Sequence, residues 1–299
     1  MRSLRLLPAL VSTALVAIVA GCGGSSAPPA AKATGLIAYT HQNPSGLDQI
    51  FVMLAGGGSR RALTTPAQDS LDPVWSPAGT KLAFIDHIGH LVVMNADGSG
   101  KRIVSRESGI NDDEIASWSP DGRQLVFDST DVPGSNILFV VNADGTGKHK
   151  LGALGSGPDW SPDGKHIVFS DPTGLVAEIG ADGRDLQELG GSRCTLDPVR
   201  WSPDGKQIAF VRSADCFGAG TVIDVVNADG TAPHAVTKRD GSYYGPPSWS
   251  PDGKQIVFSR SSGFGAIGNL YVANADGSHV RQLTTDGHDF DPSWRRAGG

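Results

Sequence analysis

Cysteine, aromatic side chains and positive charge are all scarce in this chain. Its 299 residues hold three cysteines, 7% aromatics, and 25 Lys and Arg against 31 Asp and Glu, for a formal net charge of −6. That balance excludes nucleic acid as a partner, because phosphate recognition requires a basic surface. No apolar run is long enough for a permanent membrane span: Leu6 to Ala20 is only 15 residues and includes Pro8, where a spanning helix needs about 20. No Gly-x-Ser-x-Gly occurs, so a serine-elbow hydrolase has no nucleophile motif. The eight histidines, among them His41, His87, His90, His149 and His288, follow no metal-ligand spacing, and no Ca²⁺-loop pattern is present.

What is abundant is turn chemistry. With 40 glycines and 19 prolines, the composition points to an all-β fold. Before the fold begins, Arg2, Arg5, the apolar stretch and small residues ahead of Cys22 make a secretory signal. Val19-Ala20-Gly21-Cys22 resembles the lipobox of bacterial lipoproteins, which implies cleavage before Cys22 and acylation of its thiol; an ordinary signal with an incidental cysteine is the alternative. Gly23, Gly24, Ser25, Ser26, Pro28 and Pro29 then read as a tether unable to form a packed core. The expected organisation is a signal peptide over 1–21, a lipidated cysteine and tether over 22–34, and a folded domain over 35–299. Loss of Arg2 and Arg5 with the leader takes the net charge from −6 to −8.

The domain is written as a repeat. Trp75, Trp118, Trp160, Trp201, Trp249 and Trp294 are spaced by 43, 42, 41, 48 and 45 residues, the period of propeller blades. The first is followed by Ser-Pro-Ala-Gly and the next four by Ser-Pro-Asp-Gly, in which Pro presets the first corner and Gly takes the left-handed one. β-rich runs follow at Lys81 to Ile85, Gln124 to Asp128, His166 to Ser170, Gln207 to Val211 and Gln255 to Ser259. Third runs end near Asp97-Gly98, Asp144-Gly145, Asp182-Gly183, Asp229-Gly230 and Asp276-Gly277, all hairpin signals. At the ends, Leu36 to Thr40, Ile50 to Leu54 and Arg61 to Thr64 lack a tryptophan strand, and Trp294 has a tryptophan strand with nothing after it. Together they make a sixth blade of four antiparallel strands, closing the ring and removing its edges.

Trp-Ser-Pro-Asp-Gly-Lys, an Ile-Val-Phe type strand, Asn-Ala-Asp-Gly and Leu-Thr resemble the TolB-type, WD-like propeller repeat over about 260 residues. Departures are Ala78 in the first turn, Gly180 for Asn in the fourth unit, and Arg295-Arg296-Ala297 in place of a last Ser-Pro-Asp. No counterpart of the N-terminal α/β domain of TolB is expected, which argues for a sensor or scaffold rather than a direct Tol-system role. The resemblance implies a monomeric, non-catalytic envelope protein, held to the membrane by its lipid, that contacts protein or peptide partners through the channel face. With Cys22 lipidated, Cys194 and Cys216 remain as an expected disulfide; free or metal-binding thiols are the alternative.

Repetition of the tryptophans in every unit suits packing between blades better than ligand platforms. The candidate site is acidic. Segments entering the tryptophan strands carry Asp69 and Asp72; Asp112, Asp113 and Glu114; Asp159; Asp197; and Asp286, Asp289 and Asp291, from five of six blades. Asp72, Asp197, Asp289 and Asp291 are expected to share one channel mouth, where convergent carboxylates attract a basic peptide, a cationic ligand, or Ca²⁺ or another hard cation. The plainer reading is that they cap turns and solubilise loops. No cofactor is otherwise expected. The enzymatic alternative is a glycan lyase or hydrolase built on the channel mouth, for which Arg200, Arg212, Tyr243 and Tyr244 are the residues at hand.

Overall fold

A computed structural model describes residues 35–67, 69–106, 113–132, 135–190, 194–214, 220–263 and 265–295. The chain is a six-bladed β-propeller of antiparallel sheets. Blade 1 is made of Asp289–Trp294, Leu36–Gln42, Asp48–Leu54 and Arg61–Ala62; blade 2 of Ser70–Trp75, Lys81–Asp86, Leu91–Asn95 and Arg102–Ser105. Blade 3 comprises Asp113–Trp118, Gln124–Val132, Ser135–Asn142 and His149–Leu154, and blade 4 Ser156–Trp160, His166–Ser170, Val176–Gly180 and Gln187–Gly190. Blade 5 runs Thr195–Trp201, Gln207–Ser213, Thr221–Asn227 and His234–Ala235. Blade 6 has its inner strand in two pieces, Tyr243–Tyr244 and Ser248–Trp249, followed by Gln255–Ser261, Asn269–Asn274 and Arg281–Gln282. The ring closes as expected, with Ile37 opposite Trp294 and His41 opposite Asp289.

The hydrophobic core is divided into six clusters, and each lies between two blades. Trp75 belongs to the cluster of blades 1 and 2, Trp118 to that of blades 2 and 3, and Trp160, Trp201, Trp249 and Trp294 to the following four. One buried indole per junction is what a fold without a single central core needs, and truncating one would cost about 3–5 kcal/mol. The turns add two more rings of contact. A Cβ on Gly98, Gly183 or Gly230 would stand 2.5, 2.6 or 1.7 Å from the carbonyl oxygen of Leu63, Leu151 or Leu189 in the preceding blade. Gly122, Gly164, Gly205 and Gly253 of the Ser-Pro-Asp-Gly turns face Pro77, Pro120, Pro162 and Pro203 of the blade before. At the closure no such proline precedes Gly79. Arg295 fills that place, its guanidinium carbon 5.4 Å from the centroid of the Trp75 ring.

A belt of hydrogen bonds ties the inner strands to one another. The residue before each tryptophan faces the next blade: Ser293 Oγ accepts from Trp75 N at 3.2 Å, Ser117 Oγ from Trp160 N at 3.3 Å, Asp159 Oδ2 from Trp201 N at 2.7 Å, and Ser248 Oγ from Trp294 N at 2.9 Å. Where that residue has no side-chain acceptor, its backbone serves instead. Trp118 Nε1 donates to Val74 O and Trp249 Nε1 to Arg200 O, each at 3.1 Å.

Candidate functional site

Most of the acidic positions lie within the inner strands rather than in the loops before them. Asp72, Asp113, Glu114, Asp159, Asp197, Asp289 and Asp291 all fall inside strands, and among the described positions only Asp69 and Asp286 precede one. A β-bulge is the reason. Asp72-Pro73, Asp291-Pro292 and Gly157-Pro158 each place two residues opposite one, so the strand carries on through a proline that cannot donate to a ladder. The first residue of each bulge is left-handed, with φ of 51° at Asp72, 47° at Asp291 and 60° at Gly157. Glycine takes this conformation freely; aspartate does so at a cost of about 1 kcal/mol, and such strain concentrates at functional sites.

The bulges bring Asp72 and Asp291 together. The two carboxyls line one cleft with Arg200 from blade 5, close enough that Asp72 and Arg200 both act on Asp291. Desolvation by the channel wall holds both above the usual carboxylate range. The repulsion of Asp72 lifts Asp291 further. Pro73, Pro198, Pro246 and Pro292 line the same cleft, and Arg200 Nη1 is held by the carbonyls of Val199 at 3.0 Å and Pro158 at 3.3 Å. Asp48 and Asp69 adjoin this sector: Asp69 Oδ1 accepts from Asp48 N at 2.8 Å. Asp48 is raised by desolvation, with Asp69 and Asp72 adding to it.

Asp289, two residues before Asp291, faces another way. It is fully buried, and its Oδ1 accepts from His41 Nδ1 and Arg60 Nη2, both at 2.8 Å. Arg60 also donates to Asp286 at 2.5 Å and from Nε to Tyr39 OH at 2.7 Å. His41, Asp286 and Asp289 offer a metal-sized set of donor atoms, and the Arg60 guanidinium already supplies a cation to both carboxylates. Asp159 is likewise engaged, accepting from Ser117 Oγ at 2.5 Å besides Trp201 N.

Asp113 and Glu114 pair with Ser129 and Asp128 in blade 3, and the backbone of Asp197 lies in the inner strand of blade 5. Cys22, Asp112 and Cys216 lie outside the described residues. Cys194 is disulfide-bonded. Of the residues named for an enzymatic mouth, Arg200 reaches the channel, whereas Arg212 is ion-paired with Asp224 and Tyr244 OH donates to Asp240. Sequence reasoning had no signal for Asp48, which meets Asp69 across blades 1 and 2, or for Arg60, whose partners Tyr39, Asp286 and Asp289 come together only at the closure of blade 1.

These features define a closed propeller whose central cleft is lined by Asp72, Asp159, Asp291 and Arg200. Residues 10–162 and, overlapping them, 86–244 match the TolB beta propeller domain, and the chain belongs to that family. A protein named TolB homolog from Chlorobium luteolum is 34% identical over 113 residues, which is 36% of this chain and 24% of that relative. Among solved structures, TolB from Acinetobacter baumannii superposes with a TM-score of 0.75 at 19% identity, over 88% of this chain and 67% of that one. A putative TolB from Agrobacterium tumefaciens gives 0.68 at 19% identity, over 86% and 90%. An oligogalacturonate lyase in complex with manganese shares the fold at 0.54 and 14% identity, over 81% and 72%.

Proposed function

We propose that this protein is a non-catalytic, lipid-anchored propeller of the bacterial envelope that binds a protein or peptide partner through its acidic channel mouth. The observation that carries this reading is the Asp72 and Asp291 pair. The same bulge in blade 4 uses Gly157, so the backbone does not ask for aspartate, and two strained, desolvated carboxyls are kept where a ligand in the channel meets them. Membership of the TolB propeller family supports an envelope binding role over catalysis. A Cys194 to Cys216 disulfide and acylation of Cys22 both belong to this reading, since an oxidising compartment is where such a bond persists.

Two experiments test it. In bacteria expressing the full chain and fed a labelled fatty acid, label is expected on the wild type and absent from Cys22→Ser; equal labelling of both removes the anchor. In affinity capture from envelope extracts, a partner is expected with the wild type and lost when Asp72, Asp197 and Asp291 are all changed to Asn; Asp289, buried in the blade 1 closure, is left in place. An unchanged partner list moves the binding surface away from the channel mouth.

A further inference from the structure

Blade 6 departs from the other five on the mouth side. The step from Trp201 to Trp249, 48 residues, is the longest in the array, and Gly245-Pro246-Pro247 splits the inner strand, with two prolines that have no N–H to donate. Extra residues in a repeat protein collect in loops on one face, often the binding face. Here they frame a pocket of about 230 Å³, walled by Leu196 and Val211 of blade 5, Tyr243 and Ala266 of blade 6, and Phe290 of blade 1, with Asp291 at its inner end. Pro246 and Asp291 line the central cleft too, so the pocket adjoins the channel.

Local packing holds the pocket open. A Cβ on Gly268 would lie 2.0 Å from Arg260 O, and one on Gly245 2.2 Å from Ser259 Oγ. Both segments therefore lie flat against the second strand of the blade, leaving the space above it clear. Its outer wall is apolar and wet: Leu196 is 42% exposed, the only large apolar side chain so exposed among the described residues of this pocket. Its inner end carries Asp291, which lines the central cleft together with Asp72. An occupant that brings its own positive charge relieves the repulsion between two neighbouring carboxyls; an anionic sugar would add to it.

We propose that the blade 6 pocket receives an apolar side chain of a partner peptide while an adjacent lysine or arginine of that peptide reaches Asp291 and Asp72 in the channel. This rests on the channel-mouth reading above and adds to it a second subsite and a two-residue recognition rule.

The test uses the full chain purified in mild detergent, with fluorescein-labelled Gly-Gly-Phe-Lys-Gly-Gly, the reversed Lys-Phe order, and versions with Ala for Phe or Glu for Lys, read by anisotropy. One order of the Phe and Lys pair is expected to bind. Replacing either residue, or introducing Ala266→Trp or Leu196→Asp into the protein, should weaken binding by about tenfold or more. Both substitutions are at exposed positions outside the core clusters, and thermal melting checks that each variant folds. Asp291→Asn should abolish the preference for Lys over Glu while keeping that for Phe over Ala. Binding lost in Asp291→Asn but untouched by Ala266→Trp and Leu196→Asp would overturn the pocket and leave the channel mouth standing. No binding by the wild type, or binding indifferent to all three changes, would overturn both.

Discussion

At Asp72 and Asp291 the side chain works against both its backbone and its solvation. Each holds a left-handed φ, and each is raised above its ordinary range by desolvation. A carboxyl whose folded pKa exceeds its unfolded value stabilises the fold fully only below the unfolded pKa, about 3.9, and that contribution is lost as pH climbs through the folded one. Asp291→Asn removes the titration and keeps the left-handed backbone, which asparagine tolerates. The wild type should therefore melt progressively lower relative to this variant as pH is raised from 4 to 8, by about 2–4 °C for each kcal/mol lost. The turn aspartates Asp121, Asp163 and Asp204, held low by the hydroxyls of Ser119, Ser161 and Ser202, give the opposite slope. They are common to both proteins and cancel in the difference. A constant gap across that range, followed by scanning calorimetry, would mean the pair is not protonated in the fold. The Asp-Pro pairs were legible in the sequence as candidates because they recur before tryptophan. Arg200 as their counter-charge was not, since it comes from a blade more than 90 residues from either aspartate.

Each Asp-Gly turn serves two strands and a neighbouring blade. As a hairpin it was readable from the Asn-Ala-Asp-Gly run, with Asp97, Asp144, Asp229 and Asp276 accepting from the backbone two residues on. Its second duty, letting the carbonyl of the previous blade approach, depends on contacts 32 to 41 residues back and leaves no local mark. Gly230 shows both at once: φ is 79°, and an added methyl would stand 1.7 Å from Leu189 O. Gly230→Ala is expected to destabilise by about 2–4 kcal/mol, beyond the roughly 1 kcal/mol of a left-handed alanine alone. Gly241, with φ of 77° and nothing within 4 Å of its Cβ position, is the matched control and should show only the smaller conformational cost. Equal losses in urea unfolding would remove the inter-blade contact from the account.

Six blades in a ring make the whole molecule depend on one junction that covalent order does not supply. The count of six and the closure by Trp294 follow from the unmatched strands at the two ends of the sequence. What locks the closure does not, because its residues lie up to 248 positions apart. His41 and Arg60 both hold Asp289, and Arg60 extends to Tyr39 and Asp286, so one guanidinium joins the first blade's middle strands to its C-terminal inner strand. Removing Arg60 leaves Asp289, fully buried, with a weakened counter-charge, at an expected cost of about 2–4 kcal/mol for Arg60→Ala. Arg212→Ala breaks a comparably buried pair, with Asp224, that lies wholly inside blade 5. If the latch reading is right, the two variants lose similar stability but open differently. Arg60→Ala should raise amide hydrogen exchange in Leu36–Gln42 and Asp289–Trp294 ahead of global unfolding, because freeing the last strand opens the ring at its single non-covalent junction. Arg212→Ala should leave those strands exchanging with the rest. The same pattern in both variants would mean that closure is carried by the Trp294 cluster alone and that Arg60 only adds to the general stability of blade 1.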